Sequence, residues 1–449
     1  MTAKRWIIPG AGILAVALFG ILYATDRPVY FGLLKMLMLT PFPHPFIDWE
    51  WLPSAVACWA QGIDVYVNNT CYTVIHGGRF NYSPLWLRAT FLPAGAEWVA
   101  PFGVAIAFGF FLALAALPLP KGRRAWIMTG LATFSSTTAF GVERGNADLI
   151  LFVMIVLAVM LWNYHIACRW VGYLLFGLAG LLKFYPLVLF IMALRERVMV
   201  FLSICLTVML TLLIFAWAYG AETLRALSAL PKRLYFTDMF GAVNLPFGLV
   251  RAVLFILNPA DDWSESALAR GRVASVVLIA ALILGMGVGA TWLVRRGGLR
   301  AGLAALSQQE RGFLVAGAAV VVGCFFAGQS IGYRGVYLLL VLPGLLSMAQ
   351  ALPEQLARAT MALTCWSIVF VMWVITIQVA LFLAGLNPIV PSSGSLAGMA
   401  HWLVNQLAWW LITTVLVSVL LAFVMDSAVW SALVPRLAAV GGTEQAKET

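Results

Sequence analysis

The chain has 449 residues, 63% of them hydrophobic and 10% charged, with a formal net charge of +10 and a mean hydropathy of +0.95. Such values exceed what a water-soluble core needs and exclude a soluble catalytic domain. Apolar runs of roughly 18 or more residues recur while alternating ten-residue strands do not, so an outer-membrane barrel is also excluded. What remains is an all-α, polytopic integral membrane protein of about 11–13 transmembrane helices.

The first span, "WIIPGAGILAVALFGILYA", follows Lys4 and Arg5. It is longer than a signal-peptide core and lacks a clean small-residue cleavage site, so we read it as a retained anchor. Further spans are expected near 99–119, 125–141, 149–162, 171–194, 198–218, 273–294, 312–327, 336–350, 360–385 and 402–425. Basic residues set the orientation, because short cytoplasmic loops retain them. With the N-terminus inside, the inner segments hold 15 Lys+Arg and 6 Asp+Glu, whereas the longer outer segments hold 12 and 12. Both termini, including the tail 426–449, are thus expected in the cytoplasm of a plasma (inner) membrane protein. The positive charge is topological and implies membrane lipids, not nucleic acid, as its partner.

One segment breaks the alternation. "VGYLLFGLAGLLKFYPLVLFIMAL" lies between two basic inner loops, and Pro186 removes a helical hydrogen bond and disfavours helix in the residue before it. Either two half-length helices meet at Lys183-Phe184-Tyr185-Pro186 and return to the same side, or one kinked span reverses the topology downstream. The outer loops 25–98 and 219–272 are long and carry amphipathic runs, "PVYFGLLKMLMLTPF" and "NLPFGLVRAVLFILN", that read as interfacial helices around a reaction chamber. One membrane domain, 1–425, is expected.

On this topology the unusual polar residues gather on the outer side. Asp48 and Glu50 follow the first span between tryptophans; "GVERGNADLILF" places Glu143, Arg144, Asn146 and Asp148 in one turn; "AGQSIGYRG" places Gln329, Tyr333 and Arg334 in another; Lys183 approaches from the broken span. Ionisable groups at membrane depth are functional candidates by default. Each also has a structural reading: Asp148 as a helix N-cap, Arg334 as an interfacial anchor, Glu143 with Arg144 as a solvated pair. Trp49 and Trp51 either stack on a sugar ring or belong to the interfacial aromatic belt.

Other motifs carry less. "GMGVGA" at 285–290 lies inside a span with no preceding strand and reads as helix packing. His44 and His76 stand alone, with no ligand-spaced partner, and no GxSxG or HExxH occurs. The six cysteines form no CxxC; Cys58 and Cys71 share a loop and either bridge in an oxidising compartment or remain free thiols. No carboxylate pair is spaced for a divalent ion, so no metal is expected.

The succession Asp48, "WLPSAVACWAQGIDVY" with Gly62 and Tyr66, and "FNYSPL" resembles the "D…G-x-x-x-Y…Y-x-P" opening of polyprenol-phosphate-dependent glycosyltransferases of the C-type membrane fold, family 87 (alpha-mannosyltransferase-like) in particular. "RGNADLILF" and "LLKFYPLVLF" are similar to that family's "G-N/Q-x-x-x-L" and "L-K-x-x-P" stretches. The likeness runs from about residue 44 to 195, more loosely to about 385. It departs where some two dozen residues, with Pro41, Pro43 and Pro45, separate the first span from Asp48.

The resemblance implies transfer of a hexose, mannose first, from a polyprenyl-phosphate sugar to a lipid-linked or cell-envelope glycan acceptor on the outer face, with inversion. Nucleotide sugars do not reach that face, so a membrane-borne donor fits. Asp48 would be the general base; Arg144, Lys183 and Arg334 would hold the phosphate; Tyr82, Asn146, Asp148, Tyr185, Gln329 and Glu50 would contact substrate. The competing class is a secondary transporter or lipid flippase, since charged groups on a broken helix occur there too.

Overall fold

The computed structural model describes residues 3–37, 39, 42–72, 78–93, 95–230, 239–257, 265–386 and 396–432. His76 and the end of the tail fall outside them. Seventeen α-helices follow in chain order: α1 (Ile7–Thr25), α2 (Arg27–Met36), α3 (Ile47–Ala60), α4 (Val99–Leu114), α5 (Arg123–Thr133), α6 (Ser136–Arg144), α7 (Ala147–Trp162), α8 (Ile166–Lys183), α9 (Val198–Ser228), α10 (Asn244–Leu257), α11 (Glu265–Arg295), α12 (Leu299–Ala305), α13 (Gln308–Ala327), α14 (Leu338–Ala351), α15 (Gln355–Met372), α16 (Val374–Leu383) and α17 (Leu396–Met425). Two-residue strands, β1 (Met239–Phe240) and β2 (Ser330–Ile331), pair antiparallel.

This is an all-α polytopic membrane protein. Among the described residues nine helices are long and apolar enough to cross a bilayer, or ten if a bent pair counts as one span. That pair is the expected 125–141 and 149–162: Arg123–Arg144 and Ala147–Trp162 meet at 109°. Local chemistry makes the bend. Gly145 adopts a left-handed conformation (φ 60°) that ends α6, and the Asn146 side chain accepts a hydrogen bond from the Asp148 amide (2.9 Å) to start α7. Asn146, not Asp148, is the cap.

The expected break in 171–194 is present and sits one residue from where proline alone would put it. α8 ends at Lys183, Phe184 turns with φ 59° and ψ −51°, and a 3-10 helix runs from Tyr185 to Arg195. The two arms are antiparallel neighbours: Gly180 faces Leu187 so closely that a Cβ there would lie 2.5 Å from the leucine side chain, and Tyr173 bonds Glu196 at the open end (3.1 Å). The chain thus returns toward the end from which α8 started, and the single kinked span is not what forms.

α13 and α14 make the centre of the bundle, with 72% and 78% of their most apolar windows buried; α9 and α11 stand at the edge with 6% and 11%. The apolar core joins α7, α13, α14, α15 and α17. β1 and β2 tie the segment after α9 to the turn after α13, which carries Tyr333 and Arg334.

Both amphipathic runs of the long loops form helices, α2 and α10. Asp26 caps α2 by accepting from Val29 N (3.1 Å). A second core holds residues 46–66 and 80–87 against α4: Trp49 is buried and stacks on Phe102 (5.5 Å), while Trp51 meets Tyr72 edge-on (4.7 Å). Trp49 therefore packs the loop and serves neither the aromatic belt nor a sugar face. Cys58 and Cys71 are disulfide-bonded, which resolves the alternative between bridge and free thiols.

Candidate functional site

Asp48 stands in the first turn of α3, preceded by Phe46 in the left-handed region (φ 64°), whose amide donates to the Glu143 carbonyl (2.6 Å). That contact docks the start of α3 on the end of α6. Arg144 consequently reaches Asp48 Oδ1 through Nε and Nη2, both at 2.9 Å, and Asn146 Nδ2 donates to Oδ2 (2.6 Å). Three donors fix the carboxylate's orientation while 15% of the side chain stays accessible. The Arg144 guanidinium lies 3.9 Å over Phe42, and its buried Nη1 has no hydrogen-bond partner among the described residues.

Asp148, two residues beyond the cap, forms a second centre and is 1% exposed. Lys183 Nζ donates to its Oδ1 (2.8 Å), Arg334 Nε approaches Oδ2 (3.4 Å), Tyr185 donates to Oδ1, and Tyr337 donates to the Asp148 carbonyl (3.2 Å). The Tyr185 and Tyr337 hydroxyls also meet each other at 2.8 Å. Two cations on one carboxylate leave one positive charge in excess. Arg334 is half-buried here, over the Tyr185 ring (4.9 Å) and turned to Asp148, so it is not an interfacial anchor.

Tyr82 links the two centres: the Lys183 ammonium sits 5.0 Å from its ring. Burial pushes its phenol well above the ordinary value, with Tyr333, Asp48 and Asp148 adding to the rise, so it stays protonated and able to donate. Both non-glycine residues with positive φ among the described residues, Phe46 and Phe184, flank this cluster, one two residues before Asp48 and one next to Lys183. Strained backbone of this kind persists where the surroundings over-determine it, as at functional sites.

Of the ten residues singled out from sequence, Asp48, Arg144, Asn146, Tyr82, Asp148, Lys183, Tyr185 and Arg334 thus come together. Glu50 lies beside them, with Oε2 3.0 Å from His44 Nε2, so His44 has a carboxylate partner after all. The hydrogen bond that His44 donates to Glu50 is the main reason the His44 pKa is raised. Gln329 belongs to another group: it donates to Asn244 Oδ1 (2.7 Å) beside the β1–β2 pair. Glu143 and Arg144 are not a solvated pair; Arg144 turns to Asp48.

Sequence reading missed Tyr337 and His44. Tyr337 follows Arg334 by three residues, one turn of a 3-10 helix, and that spacing was its only signal. His44 and Glu50 are six residues apart across a non-helical junction, which no periodicity reveals.

An apolar groove of about 480 Å³ opens between α1, α2, α4 and α6; Phe19, Tyr30, Leu34 and Val104 line it, together with Phe46 and Glu143. Among the described residues no group of three or more His, Cys, Asp or Glu is disposed to hold a metal ion. No protein-family model matches the chain, and neither a curated protein nor a solved structure is significantly similar to it.

Proposed function

We propose that the chain is a membrane glycosyltransferase that moves a hexose, mannose first, from a polyprenyl-phosphate sugar to a lipid-linked or envelope acceptor. The observation that carries this reading is the adjacency of a held, accessible carboxylate, Asp48, to a buried centre with one excess positive charge, Lys183 and Arg334 on Asp148. Attack of an acceptor hydroxyl on the anomeric carbon breaks the bond to the phosphate oxygen. Asp48 takes the hydroxyl proton, the sugar inverts, and the departing polyprenyl phosphate carries the negative charge. Lys183 and Arg334 then stabilise that anion in a low-dielectric site.

Two further features support a lipid-borne donor on the outer face. The groove between α1 and α4 is lined in part by Phe46 and Glu143, next to Arg144, and suits an isoprenoid chain. The Cys58–Cys71 disulfide lies in the same loop as Asp48, and disulfides persist in oxidising compartments. A flippase or transporter draws support from the α8 hairpin, a discontinuous helix with Lys183 at its vertex.

One assay separates the two. Purified protein in lipid receives radiolabelled polyprenyl-phosphate mannose and an extract of membrane acceptors. Label appearing in an acceptor, and lost in Asp48→Asn, is the expected result. Movement of the intact lipid between leaflets without transfer would discard the enzyme reading.

A further inference from the structure

A second binding feature runs along the outer flank of the α8 hairpin. α8, the returning 3-10 helix and α9 enclose a groove of about 240 Å³ with an almost wholly apolar lining. Trp170, Leu174, Leu178, Phe190, Val208 and Thr211 mark its walls. Along α8 the lining runs from residue 170 to residue 181, roughly 16 Å at the helical rise. α9 contributes little buried surface, and Leu174, Leu178, Leu206 and Leu210 are exposed around the groove, so it opens sideways to the hydrocarbon of the bilayer.

The Trp170 end of the groove is basic. Arg169 and Arg195 lie there beside one carboxylate, Glu196, and Arg311 lies near Arg195. Arg169 Nε lies 3.3 Å from Glu196 Oε1, and Tyr173 donates to the same oxygen (3.1 Å). Arg195 stacks 3.9 Å over Trp162 and donates to its carbonyl (3.4 Å). Arg311 is close enough to Arg195 for the two charges to repel, and its buried Nε has no hydrogen-bond partner among the described residues. Three guanidinium groups to one carboxylate leave two positive charges in excess, and Arg197 adds a further exposed one.

Neither feature is explained by packing. A groove this long and open, in a chain whose helix pairs otherwise close tightly through residues such as Gly172 against the Ala158 carbonyl, calls for an occupant. Three arginines do not gather near one glutamate for their own stability, because like charges repel at that range.

We infer that this is a site for one anionic phospholipid, an acyl chain lying along α8 and α9 and the headgroup phosphate between Arg169 and Arg195. Charge complementarity selects the occupant. A zwitterionic lipid fits the groove equally but brings no net negative charge, and guanidinium forks match phosphate oxygens. A second copy of this chain would bring more positive charge to a basic rim. The lipid wedges the hairpin against α9 and holds the arm whose far end carries Lys183 and Tyr185. The site is independent of the chemistry proposed for Asp48.

Native mass spectrometry of the full chain, released from mixed micelles of phosphatidylglycerol and phosphatidylcholine, tests this. One phosphatidylglycerol should be retained, preferred roughly tenfold or more over phosphatidylcholine, since each surface arginine adds about 1 kcal/mol toward an anionic lipid. Leu178→Trp fills the groove without touching any charge, and Arg169→Gln removes one charge without touching the groove; each should lose that preference or that retention. Leu178 is exposed, so its variant keeps the fold and decides the matter if Arg169→Gln does not fold. Equal retention of both lipids, retention unchanged in Leu178→Trp, or a dimer that Leu178→Trp dissociates would overturn the inference.

Discussion

Asp48 and Asp148 are both aspartates in the first turn of a helix, and both are met by arginine, yet they are built for different tasks. Asp48 is paired one to one with Arg144, steadied by an amide, and open to substrate. Asp148 is closed off, with a lysine, an arginine and two tyrosines around it. A buried carboxylate between two cations keeps those cations charged and in place, whereas an accessible one can exchange a proton with a bound hydroxyl. On the function proposed above, the contrast suits the first to reactivity and the second to assembly.

The strongest way to break this contrast is Asp48→Asn. Asparagine retains an acceptor for Arg144 but cannot take a proton, so turnover at saturating donor should fall about 10²–10⁴-fold, with donor binding near that of the native chain and a smaller fall in the unfolding midpoint than Asp148→Asn gives. Native-like turnover would move the base to Glu50 or Asp148. In Asp148→Asn the loss should be one of stability instead. Lys183 and Arg334, both half-buried, would be left without a counter-charge, at a cost of roughly 3 kcal/mol. A clear fall in the thermal unfolding midpoint is expected, and a double variant Asp148→Asn/Lys183→Met should recover part of it. If Asp148→Asn lost turnover while keeping its midpoint, the two roles would have to be exchanged.

Lys183→Ala sharpens the comparison from the other side. Arg334 still balances Asp148, so the fold should survive, but one charge-assisted contact to the donor phosphate, worth roughly 1.5–3 kcal/mol, is removed. The apparent donor requirement should rise about 10- to 150-fold. Unchanged donor kinetics would leave Lys183 a purely structural counter-ion.

The smallest effect concerns His44. Its folded-state pKa is raised above 6.5, chiefly by the hydrogen bond to Glu50. The pair therefore stabilises the fold in full below the ordinary histidine value and less as pH rises through the raised one. Because His44 is partly exposed, the contribution should be under about 1 kcal/mol. The difference in unfolding midpoint between the native chain and His44→Gln should shrink from pH 6 toward pH 9; a difference that is constant or grows would remove the ion pair from the picture.

Much of this was legible in the residues themselves, and the physical reason is the bilayer. Hydrocarbon tolerates only internally satisfied backbone, so the apolar runs had to be helices, and Pro186 in "KFYP" marked either a break or a kink, between which the fold decided. The same solvent makes every buried charge costly, which is why Asp48, Arg144, Asp148, Lys183 and Arg334 stood out before any geometry was known. The turn between α6 and α7 was legible in "GVERGNADLILF", but the cap expected at Asp148 lies at Asn146. Pairing was a different matter. That Arg144 belongs to Asp48, 96 residues away, and Lys183 to Asp148, 35 away, depends on how α3 docks on α6 and where Phe184 turns the chain. Phe46 and Phe184 adopt conformations their side chains disfavour, so nothing local encodes them. Neither did local pattern reveal Tyr337 at the Asp148 centre, the burial of Trp49 in the loop core, or the gathering of three arginines from separate segments near Glu196. Those arrangements are set by which surfaces pack together, and only the tertiary structure decides that.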